Sequence, residues 1–116
     1  MPLIKMQTSV KCSDEQKNEL AKALSSICAS GIGKPESYVA SLVEDDAVIA
    51  FGGEVKDAAY VEVKSIGGLN SSVNGNLTAA ICECIQEKLG IPGSCVYINF
   101  TDVPASQWGC NGSTFG

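Results

Sequence analysis

A strand–helix–strand pattern occurs twice in this 116-residue chain and restricts the folds that it can adopt. Each predicted helix is followed by a Pro-x-Ser-x-Val segment, at Pro35–Val39 in the first half and Pro92–Val96 in the second. Such a repeat predicts duplicated β-α-β units, each with a right-handed crossover and parallel strands. We therefore expect one α+β domain over residues 1–116, with pseudo-repeats of roughly 1–56 and 57–116. Its four-stranded mixed sheet carries both helices on one face.

Both helices have clear boundaries. Ser13–Gln16 reads as a capping box, and Gly31 and Gly33 are expected to end the first helix. The second helix begins near Ser71–Asn74 and closes at Gly90. Residues at helical spacing form the two predicted apolar faces: Leu20, Leu24, Ile27 and Cys28 in the first helix, and Leu77, Ile81, Cys84 and Ile85 in the second.

Segments rich in Val, Ile or Tyr predict the strands, which are Leu3–Ser9, Tyr38–Glu44, Ala59–Ile66 and Cys95–Thr101. A short extended piece, Val48–Phe51, is expected to form a hairpin with the second strand through Glu44–Asp46.

One face of the predicted sheet has an intermediate polarity. In the last strand Tyr97, Asn99 and Thr101 alternate with apolar residues, and Tyr60, Glu62 and Lys64 do the same in the third strand. This face is too mixed for a core and too aromatic for plain solvent exposure. It therefore suggests a subunit interface in a symmetric ring or dimer.

Composition excludes several classes of function. The net charge is −5, and the eight basic residues are all lysines scattered along the chain. This pattern argues against a nucleic-acid binder and against a polybasic membrane-binding surface. No signal peptide or membrane-spanning segment is apparent, so we expect a cytosolic protein.

The six cysteines contain no CxxC pair, and the chain has no histidine. We expect reduced thiols that pack mostly as small apolar residues, and we expect no metal site.

Pro2 is the residue on which the functional reading depends. Proline at the second position usually permits removal of the initiator methionine, which leaves a free secondary amine. Without histidine, that amine is the most plausible nitrogen base near neutral pH. Burial or a nearby cation would lower the pKa of such an amine, and Lys34 in a Gly-Lys-Pro turn is a candidate for that cation.

Other candidate residues leave two interpretations open. Lys34 is either an anion-binding residue or an ordinary exposed lysine. Tyr97 and Asn99 either bind a carbonyl or carboxylate or form a polar interface pair. The Ser65–Gly68 segment is either a ligand-binding turn or a tight connection, and the aromatic tail packs either in the core or on a neighbouring subunit.

Taken in order, these motifs closely resemble the macrophage migration inhibitory factor family of the tautomerase superfamily, over essentially the whole chain. The motifs that carry the resemblance are Met1-Pro2, Gly33-Lys34-Pro35 with Tyr38, Phe51-Gly52-Gly53, Ser65-Ile66-Gly67-Gly68, Val96-Tyr97-Ile98-Asn99-Phe100 and Asn111-Gly112-Ser113-Thr114-Phe115.

The resemblance implies a homotrimer whose sheets line a central channel and whose active sites lie between subunits. It implies keto–enol tautomerisation of phenylpyruvate-type α-keto acids and dopachrome analogues, with Pro2 as general base and no cofactor. Lys34 and the Ile66 backbone would bind the substrate. Tyr97 and Asn99 would come from the adjacent subunit, and Tyr38, Trp108 and Phe115 would line an aromatic pocket.

The sequence departs from the family pattern at two places. Ala58 and Val61 replace a CxxC motif of some members, so we do not transfer their thiol–disulfide activity. Cys110 aligns with a pocket tryptophan of some members, which leaves the substrate preference open.

The alternative to an enzyme is a signalling protein, or a mimic of a host cytokine, that binds a cell-surface receptor after non-classical secretion. Dehalogenation or decarboxylation is disfavoured because such sites in the superfamily use arginine, which this chain lacks.

Overall fold

A computed structural model describes residues 1–116 of the protein. In it, strands with alternating apolar residues form a four-stranded mixed sheet beneath two helices. In chain order the elements are β1 (Pro2–Thr8), α1 (Asp14–Ile32), β2 (Ala40–Glu44), β3 (Ala50–Phe51), β4 (Glu54–Val55), β5 (Ala59–Ser65), α2 (Ser71–Leu89), β6 (Val96–Asp102), β7 (Gly109–Cys110) and β8 (Ser113–Thr114). Three short 3-10 turns lie at Glu36–Tyr38, Gly93–Cys95 and Ala105–Gln107.

The predicted duplication is confirmed by the sheet topology. The strand order is β2-β1-β5-β6. Within each half the strands are parallel, β1 with β2 and β5 with β6, and the halves meet along the antiparallel pair β1–β5. The first strand residue, Pro2, therefore lies opposite Ser65, the last residue of β5.

Local capping fixes the helix ends. Ser13 Oγ accepts a hydrogen bond from the Gln16 N–H at 3.1 Å, and Gln16 Oε1 accepts one from the Ser13 N–H at 2.9 Å, which confirms the capping box. Gly33, in the left-handed region at φ 79°, follows the last residue of α1. In α2 the side chain of Asn70 caps the first turn by accepting from the Val73 N–H at 2.9 Å.

The prediction that Gly31 helps to end α1 is wrong, because Gly31 lies inside the helix. A Cβ atom at Gly31 would overlap the buried side chain of Leu77 on α2. Glycine is needed there for the close approach of the two helices.

The helices cover one face of the sheet, and a hydrophobic core fills the space between the layers. All four residues of the predicted α2 face are buried, as are three of the four in α1; Ile27 is half-buried. From the sheet, β1 contributes Ile4 and Met6, and β5 contributes Val61 and Val63. On the opposite, open face Leu42, Tyr60 and Tyr97 expose 44%, 36% and 68% of their surface.

The expected hairpin between Val48–Phe51 and the second strand is wrong. β3 pairs instead with β4, through Gly52 and Gly53 at φ 63° and 83°. The preceding segment turns toward the end of β1, because the Ala47 N–H donates to the Thr8 carbonyl at 3.0 Å. The Val48–Phe51 segment therefore cannot fold back along β2.

Neither helix combines the length and the apolar character needed to cross a membrane. The aromatic tail packs as a small β7–β8 hairpin beside the main sheet.

Candidate active site at the Pro2 end of the sheet

Three strand ends meet at the edge of the sheet where the chain begins. Pro2 starts β1 and is fully buried. It pairs with Ser65 at the end of β5, and Ser65 pairs with Asp102 at the end of β6. The backbone of residue 2 therefore lies beside the turn that leaves β5.

Lys34 contacts that turn directly. It follows Gly33, the cap of α1, and its Nζ donates a hydrogen bond to the Ile66 carbonyl at 2.6 Å. The Ile66 N–H donates to the Met1 carbonyl at 3.4 Å. The structure thus brings Pro2, Lys34 and Ile66 together, although Lys34 and Ile66 are 32 residues apart.

The electrostatics of this end favour a neutral amine. The pKa of the Met1 amine is lowered first by burial, then by the positive charge of Lys34 and by a hydrogen bond with its side chain. A free amine held here is available as a base at a lower pH than an ordinary terminal amine. With Met1 attached, however, the Pro2 nitrogen is an amide and has no basic lone pair.

The turn after β5 is held by two side chains. Ser65 Oγ donates to the Gly67 carbonyl at 2.7 Å, and the Gly67 N–H donates to Asp102 Oδ1 at 3.0 Å. Gly67 and Gly68 have φ angles of 73° and 80°, which other residues adopt only with strain. These contacts fix the direction of the Ile66 amide, which can stabilise an oxyanion.

Sequence reasoning did not identify Asp102 as part of this end. The usable signal was the parallel pairing of the third and fourth predicted strands, which places the residues that end them side by side.

The three aromatic candidates lie around the same end. Tyr38 is 55% exposed and lies two residues before Ala40. Ala40 pairs in parallel with Leu3, so continuing this register two residues back puts Tyr38 on the Met1 side of the site. Trp108 is half-buried and lines a cleft with Leu3. The Phe115 N–H donates to the Trp108 carbonyl at 3.1 Å.

Tyr97 and Asn99 lie far from Pro2 of the same chain. Asp102 is at the Pro2 end of β6, and Tyr97 is five and Asn99 three positions earlier in that strand. At about 3.3 Å per residue these positions are roughly 16 and 10 Å further along the sheet, and β6 is two strands, about 10 Å, to the side of β1. Neither side chain can reach Pro2 within one chain.

No group of three or more His, Cys, Asp or Glu residues has the geometry to hold a metal ion. All six cysteines are free. Burial raises the pKa of the Cys28 thiol to about 11, so this thiol is not a nucleophile near neutral pH.

Comparison with known proteins agrees with this architecture. The family model for macrophage migration inhibitory factor (MIF) matches residues 1–116. A macrophage migration inhibitory factor homolog from Trichuris trichiura is 37% identical, over 99% of this chain and 100% of the relative. The Xenopus laevis factor is 34% identical, over 99% of each chain. The crystal structure of the Prochlorococcus marinus homologue is 44% identical and has a TM-score of 0.93, covering 98% of this chain and 99% of that one.

Proposed function

This chain belongs to the macrophage migration inhibitory factor family and has the fold of the tautomerase superfamily, and we propose that it is a phenylpyruvate-type keto–enol tautomerase. Its general base is the amine of Pro2, exposed once Met1 is removed. The observation that carries the proposal is the cluster of a terminal amine, the Lys34 ammonium and the Ile66 backbone at one end of the sheet.

We expect a substrate oxygen to bind where the Met1 carbonyl lies. It accepts a hydrogen bond from the Ile66 N–H in the chain that retains Met1. Removal of Met1 leaves this N–H without its acceptor, next to the new amine. An α-keto acid then offers its oxygens to the Ile66 N–H and to the Lys34 ammonium.

The proposed reaction moves one proton between carbon and oxygen. The neutral Pro2 amine takes the proton from the carbon next to the ketone, and the electron pair of that C–H bond forms the C=C bond of the enolate. The negative charge that develops on oxygen is stabilised by the Ile66 N–H and by Lys34. The protonated Pro2 then returns the proton to oxygen and gives the enol. The reverse sequence gives the keto form, and no other reactant is required.

A homotrimer with active sites between subunits is part of the proposal. The distance of Tyr97 and Asn99 from Pro2 supports it, because another copy of the chain must bring these side chains to the site if they bind substrate. The exposed apolar side chains of Leu42, Tyr60 and Tyr97 on the open face also support association of the sheets. Sedimentation equilibrium tests this part, and a monomer at micromolar concentration would contradict it.

The activity is tested by following enol–keto conversion of phenylpyruvate by absorbance. Three proteins are compared: the chain beginning at Pro2, a chain shown by mass spectrometry to retain Met1, and Pro2→Gly. We expect the first to be at least 100-fold faster than the second, because acid–base catalysis contributes about 10²- to 10⁴-fold. Equal rates for the three proteins would refute the proposal.

A signalling role is the second candidate, supported by the name macrophage migration inhibitory factor that the relatives carry. It requires that the protein reach the outside of the cell and bind a cell-surface receptor. Receptor binding that Pro2→Gly retains would support this role independently of catalysis. Absence of binding at micromolar concentration would contradict it.

A further inference from the structure

A cleft beside Pro2 lies between the open face of the sheet and the tail. It has a volume of about 500 Å³ and lies between Leu3, Lys64 and Thr101 of the strands and Gln107 and Trp108 of the tail. This volume is within the range of about 300–1,000 Å³ that small-molecule sites occupy. The cleft adjoins the proposed reaction site because Leu3 directly follows Pro2.

Lys64 is the only charged residue that lines the cleft. It pairs across the sheet with Leu3 on one side and Thr101 on the other, so its side chain rises from the open face between them. The residue is half-buried. A cation in this position lines the same cleft as Trp108.

Lys64 has no acidic partner within the chain, in contrast to two other lysines. Lys5 lies 3.8 Å from Glu44, and Lys17 lies 3.5 Å from Asp14. The acid two positions before Lys64, Glu62, instead accepts a hydrogen bond from the Tyr60 hydroxyl at 3.2 Å. Within one chain the Lys64 ammonium is therefore free to pair with an anion.

We propose that Lys64 forms a second anion-binding subsite, which selects aromatic α-keto acids that carry a further acidic group at the far end of the ring. The inference rests on the proposed function, because it orients the substrate with its keto acid at Lys34 and Ile66. The ring then lies against Trp108, and the distal carboxylate pairs with Lys64. The ligand class predicted for the two positions together is a rigid aromatic molecule with an anion at each end.

The turnover test compares phenylpyruvate with 4-carboxyphenylpyruvate. The measured quantity is the ratio of their kcat/KM values in the wild-type chain, Lys64→Gln, Lys64→Arg and the control Lys22→Gln, which removes an exposed lysine of α1. We expect the ratio to fall about tenfold in Lys64→Gln, because a partly buried charged contact is lost. Lys64→Arg and Lys22→Gln are expected to keep the wild-type ratio. A ratio unchanged in Lys64→Gln, or an equal loss for both substrates, would overturn the proposal.

A binding test separates this inference from the failure of catalysis. Trp108 is the only tryptophan, so its fluorescence reports occupation of the cleft. The probes are the unreactive 4-carboxycinnamate and cinnamate. The proposal predicts tighter binding of 4-carboxycinnamate, and the Lys64→Gln substitution is expected to abolish this preference. If no substrate is turned over but the preference is observed, the proposed function fails and the subsite stands. Equal affinity of both probes in the wild-type chain overturns the subsite.

Discussion

Replacement of Lys34 by methionine tests how this chain holds an anionic substrate. The change removes the ammonium that lies 2.6 Å from the Ile66 carbonyl and keeps a side chain of similar length. A hydrogen bond to a charged group contributes about 1.5–3 kcal/mol. Loss of the contact between Lys34 and the substrate carboxylate is therefore expected to lower kcat/KM by about 10- to 150-fold.

The substitution also has a predicted effect on the pH profile. Burial and then the positive charge of Lys34 lower the pKa of the Met1 amine. We expect the same charge to act on the Pro2 amine once Met1 is removed, so loss of the charge raises the pKa of the base. Because the base must be neutral to accept a proton, the acidic limb of the kcat/KM profile is expected to move to higher pH. Lys34→Arg keeps the charge and is expected to shift the limb much less.

The assay follows enol–keto conversion of phenylpyruvate and of its methyl ester, which lacks the carboxylate charge. Lys22→Met, at an exposed position of α1, is the matched control. The loss in Lys34→Met is expected to be at least fivefold smaller for the ester than for the acid. An equal loss for both substrates, or a kcat/KM equal to that of Lys22→Met, would refute the assigned role.

Three further substitutions test other features of the structure. Asp102→Ala removes the acceptor of the Gly67 N–H and is expected to lower kcat/KM by about tenfold. Asp102→Asn keeps an oxygen acceptor and should lose less, and equal values would exclude this role. Gly31→Ala is expected to destabilise the fold by about 1–3 kcal/mol in urea titration through its overlap with Leu77. Adding Leu77→Ala should make the two losses less than additive, and strict additivity would contradict the contact. Cys110 is the exposed thiol, and Cys110→Ser should remove the fast phase of reaction with Ellman's reagent. An unchanged fast phase would show that another cysteine is accessible.

The parts of the fold that depend on local pattern could be predicted from the sequence. The Ser13–Gln16 capping box and the α2 apolar face are short-range signals, and both occur as expected. Gly31 could not be interpreted correctly, because its role depends on Leu77 in the other helix. The Val48–Phe51 error has a similar cause, since a contact with the end of β1 directs the segment that precedes it.

The candidate site shows the same limit. Pro2 could be singled out from its position and from the absence of histidine. The contact between Lys34 and Ile66 is a tertiary one. The family resemblance implied only that both would bind the substrate, and nothing in the sequence predicted that they touch. Asp102 was missed because its role requires the register of β5 and β6. The proximity of Lys64 to Trp108 likewise depends on how the tail folds back over the sheet.

The central claim is that the Pro2 amine is the base, and its titration in the active protein is the most direct test. The chain is prepared without Met1 and with ¹⁵N-labelled proline. Of its four prolines, only Pro2 then carries an amine that can titrate. The pKa of this nitrogen, measured by NMR, is predicted to match the midpoint of the acidic limb of kcat/KM for phenylpyruvate, and both are predicted to move upward together in Lys34→Met. A limb that does not follow the Pro2 titration, or full activity in a chain that retains Met1, would contradict the account.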